Sequence, residues 1–131
     1  MEEQIIQILS AAIPNLKGIY LFGSYASGAA TAGSDVDLAF LSDHPSVDPL
    51  RRWKLQEQLA GFLNKDVDLI DLQTATTVLR FEIITAGRRI FCPDEYFCDS
   101  FEMVAYSMYQ HLQEERKEIL EDIFKRGSVY G

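Results

Sequence analysis

Residues 18–41, GIYLFGSYASGAATAGSDVDLAFL, decide the fold of this 131-residue chain. The apolar run over residues 18–22 ends at Gly23-Ser24, which is typical of a short buried strand followed by a turn. Residues 25–34 are small and turn-prone, so they leave room for one helical turn and a loop but for no further strand. The stretch therefore predicts a strand, a short return and a second strand.

The second strand covers residues 36–41, and the short return favours antiparallel pairing with the first. Asp48-Pro49 is a helix start signal, because aspartate caps a helix N-terminus well and proline suits the first helical position. The predicted helix runs to about Asn64, and a third strand over residues 66–72 follows directly. A helix of this length fits the right-handed crossover that parallel strands need. Its predicted buried residues are Leu55, Leu59, Phe62 and Leu63.

Further helices and one edge strand surround these elements. The spacing of apolar residues predicts helices over residues 2–13 and 74–86, a short edge strand over 89–91, and a helix over 94–125. The last helix would be about 45 Å long, which exceeds what a compact domain of this size covers. Either it breaks near residue 113, or part of its apolar face meets another chain. That face consists of Phe97, Phe101, Val104, Ala105, Met108, Leu112, Ile119 and Ile123.

We therefore predict an α/β (α+β mixed) fold, in which a small mixed β-sheet is flanked by helices. A core spans residues 1–93, and a C-terminal helical arm spans residues 94–131 and packs on the core or on a partner. The only plausible boundary lies near Pro93.

Charge and composition exclude several classes of function. Twenty acidic against twelve basic residues give a net charge of −8, so a basic cleft that binds nucleic acid directly is not expected. No apolar run reaches the roughly 18 residues of a membrane span, and the acidic N-terminus lacks the pattern of a signal peptide. We expect a cytoplasmic protein. The histidines and cysteines lack the spacing of a metal site, so we expect His44 and His111 on the surface and Cys92 and Cys98 in packing.

Two carboxylates stand at the start of the second strand. Asp35 and Asp37 are two residues apart, so their side chains project to the same face. Two carboxylates about 5 Å apart repel each other by about 3 kcal/mol unless a cation lies between them. Parallel pairing brings Asp68 of the third strand to the same sheet end. An all-oxygen set without His or Cys favours Mg²⁺ or Mn²⁺.

Gly23-Ser24 faces this acidic cluster from the end of the first strand. If the pair opens a helical turn, its free N–H groups and the Ser24 hydroxyl form an anion site that suits a phosphate. A phosphate site opposite a carboxylate–metal cluster is typical of phosphoryl or nucleotidyl transfer. Asp66 and Asp71 lie close to Asp68, but Asp71 faces away from it and Asp66 lies at the extreme start of the strand.

The motifs resemble those of the minimal nucleotidyltransferases of the DNA polymerase β-like superfamily, and among them the MNT antitoxins encoded beside HEPN toxins. The resemblance covers about residues 1–93. It rests on Phe22-Gly-Ser-Tyr-Ala-Ser-Gly28, Ser34-Asp-Val-Asp-Leu38 and Val67-Asp-Leu69.

The resemblance implies a role for each matched residue. Gly23 and Ser24 would hold the β- and γ-phosphates of ATP, and Asp35 and Asp37 would bind two Mg²⁺ ions. Asp68 would help to bind the second ion and would accept or position a proton. The activity implied is transfer of AMP from ATP to a tyrosine hydroxyl of a HEPN ribonuclease toxin, which neutralises the toxin. ATP as the nucleotide follows from the resemblance alone.

Two other functions stay open. The protein would neutralise its toxin by binding alone if the site were vestigial, although the intact acidic triad argues against this. It would instead modify a small molecule such as an aminoglycoside if it had an acceptor pocket, for which 131 residues leave little room. Five arginines are candidates for phosphate or partner contacts, and for each of them a solvated helix face is the alternative: Arg51, Arg52, Arg80, Arg88 and Arg89.

Overall fold

The structure is a computed structural model that describes residues 1–43 and 47–130, with side chains described as far as Gly127. His44 and Gly131 lie outside the described residues, so the surface position predicted for His44 has no counterpart here. In chain order the elements are α1 Glu2–Ala12, β1 Leu16–Phe22, α2 Ser24–Ser27, β2 Val36–Ser42, α3 Pro49–Leu63, β3 Val67–Asp71, α4 Thr77–Ala86, β4 Arg88–Phe91 and α5 Glu95–Tyr130.

The strands form one mixed sheet in the order β3-β2-β1-β4. β1 is antiparallel to β2 and to β4, whereas β2 and β3 are parallel. The predicted mixed sheet flanked by helices is therefore confirmed, including the antiparallel return and the helical crossover. Because α3 carries the chain from β2 to β3, the starts of these two strands lie at the same sheet end.

Helices cover both faces of the sheet, and the two-residue alternation of the strands assigns each side chain to one of them. On one face, residues such as Leu21, Leu38 and Leu69 pack with α1 and α3. On the other face, residues such as Tyr20, Ala39 and Leu72 pack with α4 and α5. Each face therefore has its own apolar core, and both cores hold the central strands in place.

Two local predictions were wrong. Phe62 has 60% of its surface exposed, because α3 meets the core through Leu55 and Leu59, with Ala60 and Leu63 partly buried beside them. α4 begins at Thr77 rather than Thr74, since the amide groups of residues 73–75 bind oxygens of Asp71 and so form a turn. Thr76 then caps the helix by accepting a hydrogen bond from the amide of Leu79 (3.2 Å).

The sequence leaves two alternatives for the C-terminal arm, a break near residue 113 or an apolar face that meets another chain. α5 is one continuous helix of 36 residues, about 54 Å long, so the break does not occur. Its first half packs on α4 and β1, where Cys98 and Ala105 are buried. We call residues 113–127 the distal arm, and every side chain in it is exposed. Among the residues described, none of the helices combines the length and apolar character that crossing a bilayer requires.

Candidate active site

Gly23 forms the turn between β1 and α2. Its φ of 69° and ψ of −150° lie in a region that only glycine adopts readily. Its carbonyl accepts hydrogen bonds from the amides of Ala26 (3.1 Å) and Ser27 (3.2 Å), so the chain turns directly into α2. Ser24 is the first residue of α2, and the amides of Ser24 and Tyr25, which precede these two bonds, have no partner within the helix.

Gly23 also packs directly against Asp37. A Cβ atom placed on Gly23 would lie 2.2 Å from Oδ2 of Asp37, so any other residue here would collide with the carboxylate. The close approach follows from the sheet register, in which Asp37 pairs with Phe22, the residue before Gly23. The turn at Gly23 and the Asp37 side chain of β2 are therefore in direct contact.

The three predicted carboxylates lie around this turn at one end of the sheet. Asp37 pairs with Asp68 across the parallel strands, and Asp35 precedes β2 by one residue. Burial raises the pKa of Asp37, and the charges of Asp68 and then Asp35 raise it further. Asp37 is half-buried, whereas the other two are exposed. The structure therefore brings together Gly23, Asp35, Asp37 and Asp68, with Ser24 next to Gly23.

The two neighbouring aspartates, which are the alternatives to Asp68, accept hydrogen bonds from backbone amides. Asp71 is buried on the opposite face of β3, where its carboxylate accepts hydrogen bonds from the amides of Val47 (3.1 Å) and Gln73 (2.9 Å). Asp66 precedes β3, and its carbonyl accepts a hydrogen bond from the amide of Val36 (2.9 Å). Its side chain is exposed.

The donor set of the site suits a hard divalent cation. Its side-chain donors are carboxylate oxygens. Burial, and then repulsion by Asp68 and Asp35, raises the pKa of Asp37, and a shared cation would relieve that repulsion. Within residues 1–43 and 47–130, no three His, Cys, Asp or Glu side chains already converge as a metal-binding group. The chemistry of the residues therefore fits Mg²⁺ or Mn²⁺, and binding requires the exposed carboxylates to turn toward the ion.

The five arginines considered for phosphate contacts are engaged in the scaffold. Arg52 donates to the carbonyl of Leu69 (2.8 Å), and Arg80 donates to the carbonyl of Leu72 (2.7 Å). Arg51 donates to the carbonyl of Ala12, and Arg88 forms an ion pair with Glu2. Arg89 forms ion pairs with Asp99 and Glu102.

Sequence reasoning missed Lys65, which lies beside the site. A polar cavity of about 400 Å³ is formed between the segment before β2 and the connection from α3 to β3. Lys65 contributes to its wall, and the only signal in the sequence is a basic residue three positions before Asp68. The lining residues are Ala32, Gly33, Ser34, Asp35, Ala60, Asn64, Lys65 and Asp66.

Residues 3–96 match the family described as Polymerase beta, Nucleotidyltransferase. The chain belongs to this family. It is 42% identical over 122 residues to the protein adenylyltransferase MntA of Shewanella oneidensis, an alignment that covers 93% of this chain and 86% of that protein. The resemblance to the polymerase β-like nucleotidyltransferases is thereby confirmed.

Two solved structures resemble the whole of this nucleotidyltransferase. A toxin–antitoxin crystal structure with AMP-PNP matches with a TM-score of 0.85 at 41% identity, covering 94% of this chain and 98% of that one. The tri-AMPylated Shewanella oneidensis HEPN toxin in complex with MNT antitoxin matches with a TM-score of 0.79 at 40% identity, covering 94% and 95%. The similarity therefore extends from the nucleotidyltransferase core into the C-terminal arm.

Proposed function

We propose that this nucleotidyltransferase is an antitoxin that transfers AMP from ATP to a tyrosine hydroxyl of a HEPN ribonuclease toxin and so neutralises it. One observation carries the proposal: the glycine turn packs on Asp37 at the sheet end where Asp35 and Asp68 also lie. A phosphate-binding turn beside a cluster of carboxylates is what nucleotidyl transfer requires. The name and crystal partners of the similar proteins support the choice of ATP and of a protein acceptor.

Each residue has a part in this reaction. Gly23 and Ser24 hold the β- and γ-phosphates through backbone amides and the Ser24 hydroxyl. Asp35, Asp37 and Asp68 would hold two Mg²⁺ ions, or Mn²⁺ in their place. When bound, these ions neutralise phosphate charge and lower the pKa of the attacking hydroxyl, which otherwise lies near 10.

The group transfer is a single displacement at phosphorus. The tyrosine oxygen bonds to the α-phosphorus while the bond from that phosphorus to the bridging oxygen breaks, and pyrophosphate leaves. The phenolic proton passes to Asp68, which is exposed and lies beside Asp37 in the register. Asp37 lies between Gly23 and Asp68, so it links the phosphate turn with the acceptor side.

Two alternatives make different demands on the site. Neutralisation by binding alone needs no carboxylates, yet three of them are kept together although their repulsion raises the pKa of Asp37. Transfer to a small molecule such as an aminoglycoside needs an enclosed acceptor pocket. The cavity beside Asp35 is lined by small and charged residues of one sheet end and is open to solvent, so a protein acceptor fits this surface better.

Replacement of Asp37 tests the reaction. The chain is incubated with ATP, Mg²⁺ and the HEPN toxin. The mass of the intact toxin is then measured by mass spectrometry. We expect a gain of one or more AMP units that disappears with Asp37→Asn and Asp68→Asn but persists with Asp66→Asn, the matched exposed control. Neutralisation that survives Asp37→Asn would support binding alone. Labelled AMP on an aminoglycoside panel, with none on the toxin, would support the small-molecule reaction.

The distal arm provides the surface for the toxin in this proposal. Ile119, Leu120, Ile123 and Phe124 lie on one side of the helix, and between 57% and 82% of their surfaces are exposed. The family match ends at residue 96, whereas the toxin–antitoxin structures cover 94% of the chain, so most of the arm is shared with chains crystallised in such complexes. An exposed apolar face of this kind is typical of a protein interface.

The double variant Ile123→Asp with Phe124→Asp tests this surface. We expect it to weaken toxin binding by at least about tenfold, because two apolar side chains are lost from the contact, while AMP-PNP binding stays unchanged. Lys125→Glu on the opposite side of the helix is the control, since it also lowers the net charge by two. Toxin affinity equal to that of the unmodified chain would place the interface elsewhere.

A further inference from the structure

Residues 24–34 connect the two halves of the site. This segment, which we call the linker, begins at the phosphate turn and ends next to Asp35. Its internal hydrogen bonds form two local turns: the amide of Ala29 donates to the carbonyl of Ser24 (3.1 Å), and the amide of Thr31 donates to Oγ of Ser34 (2.8 Å). Except for one bond, every hydrogen bond described for the linker joins residues within 23–34.

The exception comes from Lys65. Its ammonium group donates to the carbonyl of Ala32 (2.9 Å), which lies 33 positions away in the chain. The same nitrogen lies 5.8 Å from the centre of the Tyr25 ring, a distance typical of a cation–π contact. Lys65 thus contacts both parts of the linker, the helix α2 near the phosphate turn and the loop before Asp35.

The backbone of Lys65 is itself well fixed. Its amide donates to the carbonyl of Ala60 at the end of α3 (3.2 Å), and Asn64 before it caps that helix with a φ of 54°. The next residue, Asp66, accepts a hydrogen bond from the amide of Val36 in β2. Lys65 therefore projects from a rigid junction that leads into β3 and Asp68.

The contacts of Lys65 lie on the face of the sheet opposite to Asp37 and Asp68. Tyr25 packs against the apolar core that α1 and α3 form, whereas Asp37 and Asp68 alternate onto the face covered by α4 and α5. Lys65 thus contacts the linker from the face opposite to Asp37 and Asp68, in the cavity that Asp35 also lines.

We propose that Lys65 is a positioning residue, which fixes the linker to the start of β3 and so holds α2, which begins at Ser24, in place beside the carboxylates. The inference rests on the function proposed above. Gly23, Asp37 and Asp68 are held by the strand register, whereas the linker has one described hydrogen bond to a distant part of the chain, the one from Lys65. Loss of the Lys65 contacts should therefore weaken ATP binding more than it slows transfer.

Lys65→Met is the decisive variant, because it keeps the aliphatic stem and removes the charge and the donor. With the full chain, Mg²⁺ and the toxin, we expect KM for ATP to rise about fivefold, while kcat stays within about twofold. Binding of AMP-PNP measured by calorimetry should weaken by the same factor. Lys65→Arg should restore both, and Lys54→Met, an exposed lysine of α3, should change neither.

Two other results would overturn the proposal. A lower kcat with unchanged KM, together with a lower melting temperature, would mean that Lys65 only stabilises the fold. Additive effects of Lys65→Met and Tyr25→Leu in a double-mutant cycle would mean that Lys65 acts on the phosphates without the linker. If the unmodified chain transfers no AMP but binds AMP-PNP, the proposed function fails, and calorimetry alone still decides the role of Lys65.

Discussion

Gly23 meets two constraints at one residue, a positive φ and contact with a carboxylate. The first constraint is shared with Gly28, whose φ is 79°, but a Cβ atom on Gly28 would have open space around it. The second is specific to Gly23, where the Cβ atom would collide with Asp37. Substitution of Gly28 therefore introduces backbone strain alone, whereas substitution of Gly23 also disturbs Asp37 in the site.

Substitution of the two glycines by alanine should show this difference. Gly28→Ala should lower the free energy of unfolding by about 1 kcal/mol, because alanine is strained in the left-handed region. Gly23→Ala should cost more, about 2 kcal/mol, because its φ and ψ lie in a region that only glycine adopts readily and its Cβ atom would meet Asp37. Only Gly23→Ala should also slow AMP transfer, by about a hundredfold, since displaced catalytic groups lose rate steeply. Chemical denaturation and intact mass measure the two effects. Equal transfer rates for both variants would contradict the role given to the glycine–carboxylate contact.

Asp37 also makes stability depend on pH. Burial and its acidic neighbours raise the pKa of Asp37 above its value in the unfolded chain. The folded state is thus favoured by protonation, a contribution that is complete below the unfolded pKa and is lost as the pH rises through the folded pKa. In metal-free buffer at pH 7, Asp37→Asn should therefore unfold at a higher temperature than the unmodified chain.

Thermal unfolding in EDTA across the acidic range measures this effect. The advantage of Asp37→Asn should shrink as the pH falls and should be absent once Asp37 is protonated in both states. Asp66→Asn serves as the control for removal of a nearby exposed charge. An advantage that is the same at all pH values would mean that folding does not raise the pKa of Asp37.

Much of the candidate site could be predicted at the level of residues. The alternation of strands and the parallel crossover were sufficient to place Asp35, Asp37 and Asp68 at one sheet end. Lys65 could not be found in this way, because its contact with Ala32 depends on the conformation of two irregular segments. Local sequence patterns do not fix such contacts. The catalytic roles of the predicted residues stay predictions that the variants above test.

At the level of elements, the strands and most helices follow from periodicity and capping signals. The start of α4 was missed because Asp71, whose burial depends on the tertiary fold, binds the amides that would otherwise begin the helix. Phe62 was misplaced for a related reason, since periodicity does not show how wide the covered face of α3 is. The continuity of α5 follows from the absence of any helix breaker between Glu95 and Arg126.

The attachment of α5 to the sheet depends on Arg89 in the edge strand β4. Its guanidinium contacts Glu102 (2.7 Å) and Asp99 (3.0 Å) on the first turns of the helix. Burial raises the pKa of Glu102, and Arg89 partly counteracts this effect. The neighbouring Arg88 forms an exposed ion pair with Glu2. Of these two adjacent arginines, Arg89 thus forms a partly buried ion pair and Arg88 forms a surface ion pair.

Removal of Arg89 should therefore cost more than removal of Arg88. We expect Arg89→Leu to lower the free energy of unfolding by about 2 kcal/mol at pH 7, since charged hydrogen bonds are lost and Glu102 stays buried. Arg88→Leu should cost no more than about 0.5 kcal/mol. Urea denaturation compares them. The cost of Arg89→Leu should fall in acid, where Glu102 is neutral, and equal costs for both variants would contradict the anchoring role.

At the level of the whole molecule, the apolar surface is unevenly distributed. The core buries its large aliphatic residues, whereas α5 carries most of the exposed large apolar residues, among them Met103, Ile119 and Phe124. The distal arm contributes no buried side chain. The stability of the core is therefore largely independent of the distal arm.

Truncation after Gln113 tests this independence. We expect the unfolding free energy of the shortened chain to stay within about 0.5 kcal/mol of the full chain, because every side chain described among the removed residues, 114–127, is exposed. AMP-PNP affinity should also be unchanged, while toxin binding is lost. Denaturation and calorimetry on both chains give the comparison. A large drop in stability would show that the distal arm supports the core.

The strand order β3-β2-β1-β4 has a consequence for how such proteins diverge. The carboxylates and the phosphate turn come from β1, β2 and β3, whereas the arm leaves from β4 at the far edge. If the distal arm binds the toxin as proposed, substitutions within residues 113–127 alter that surface without touching the packed first half of α5, which covers the sheet face of Asp37 and Asp68. Exchange of the distal arm between related chains should then change the partner that is recognised and keep the transfer activity.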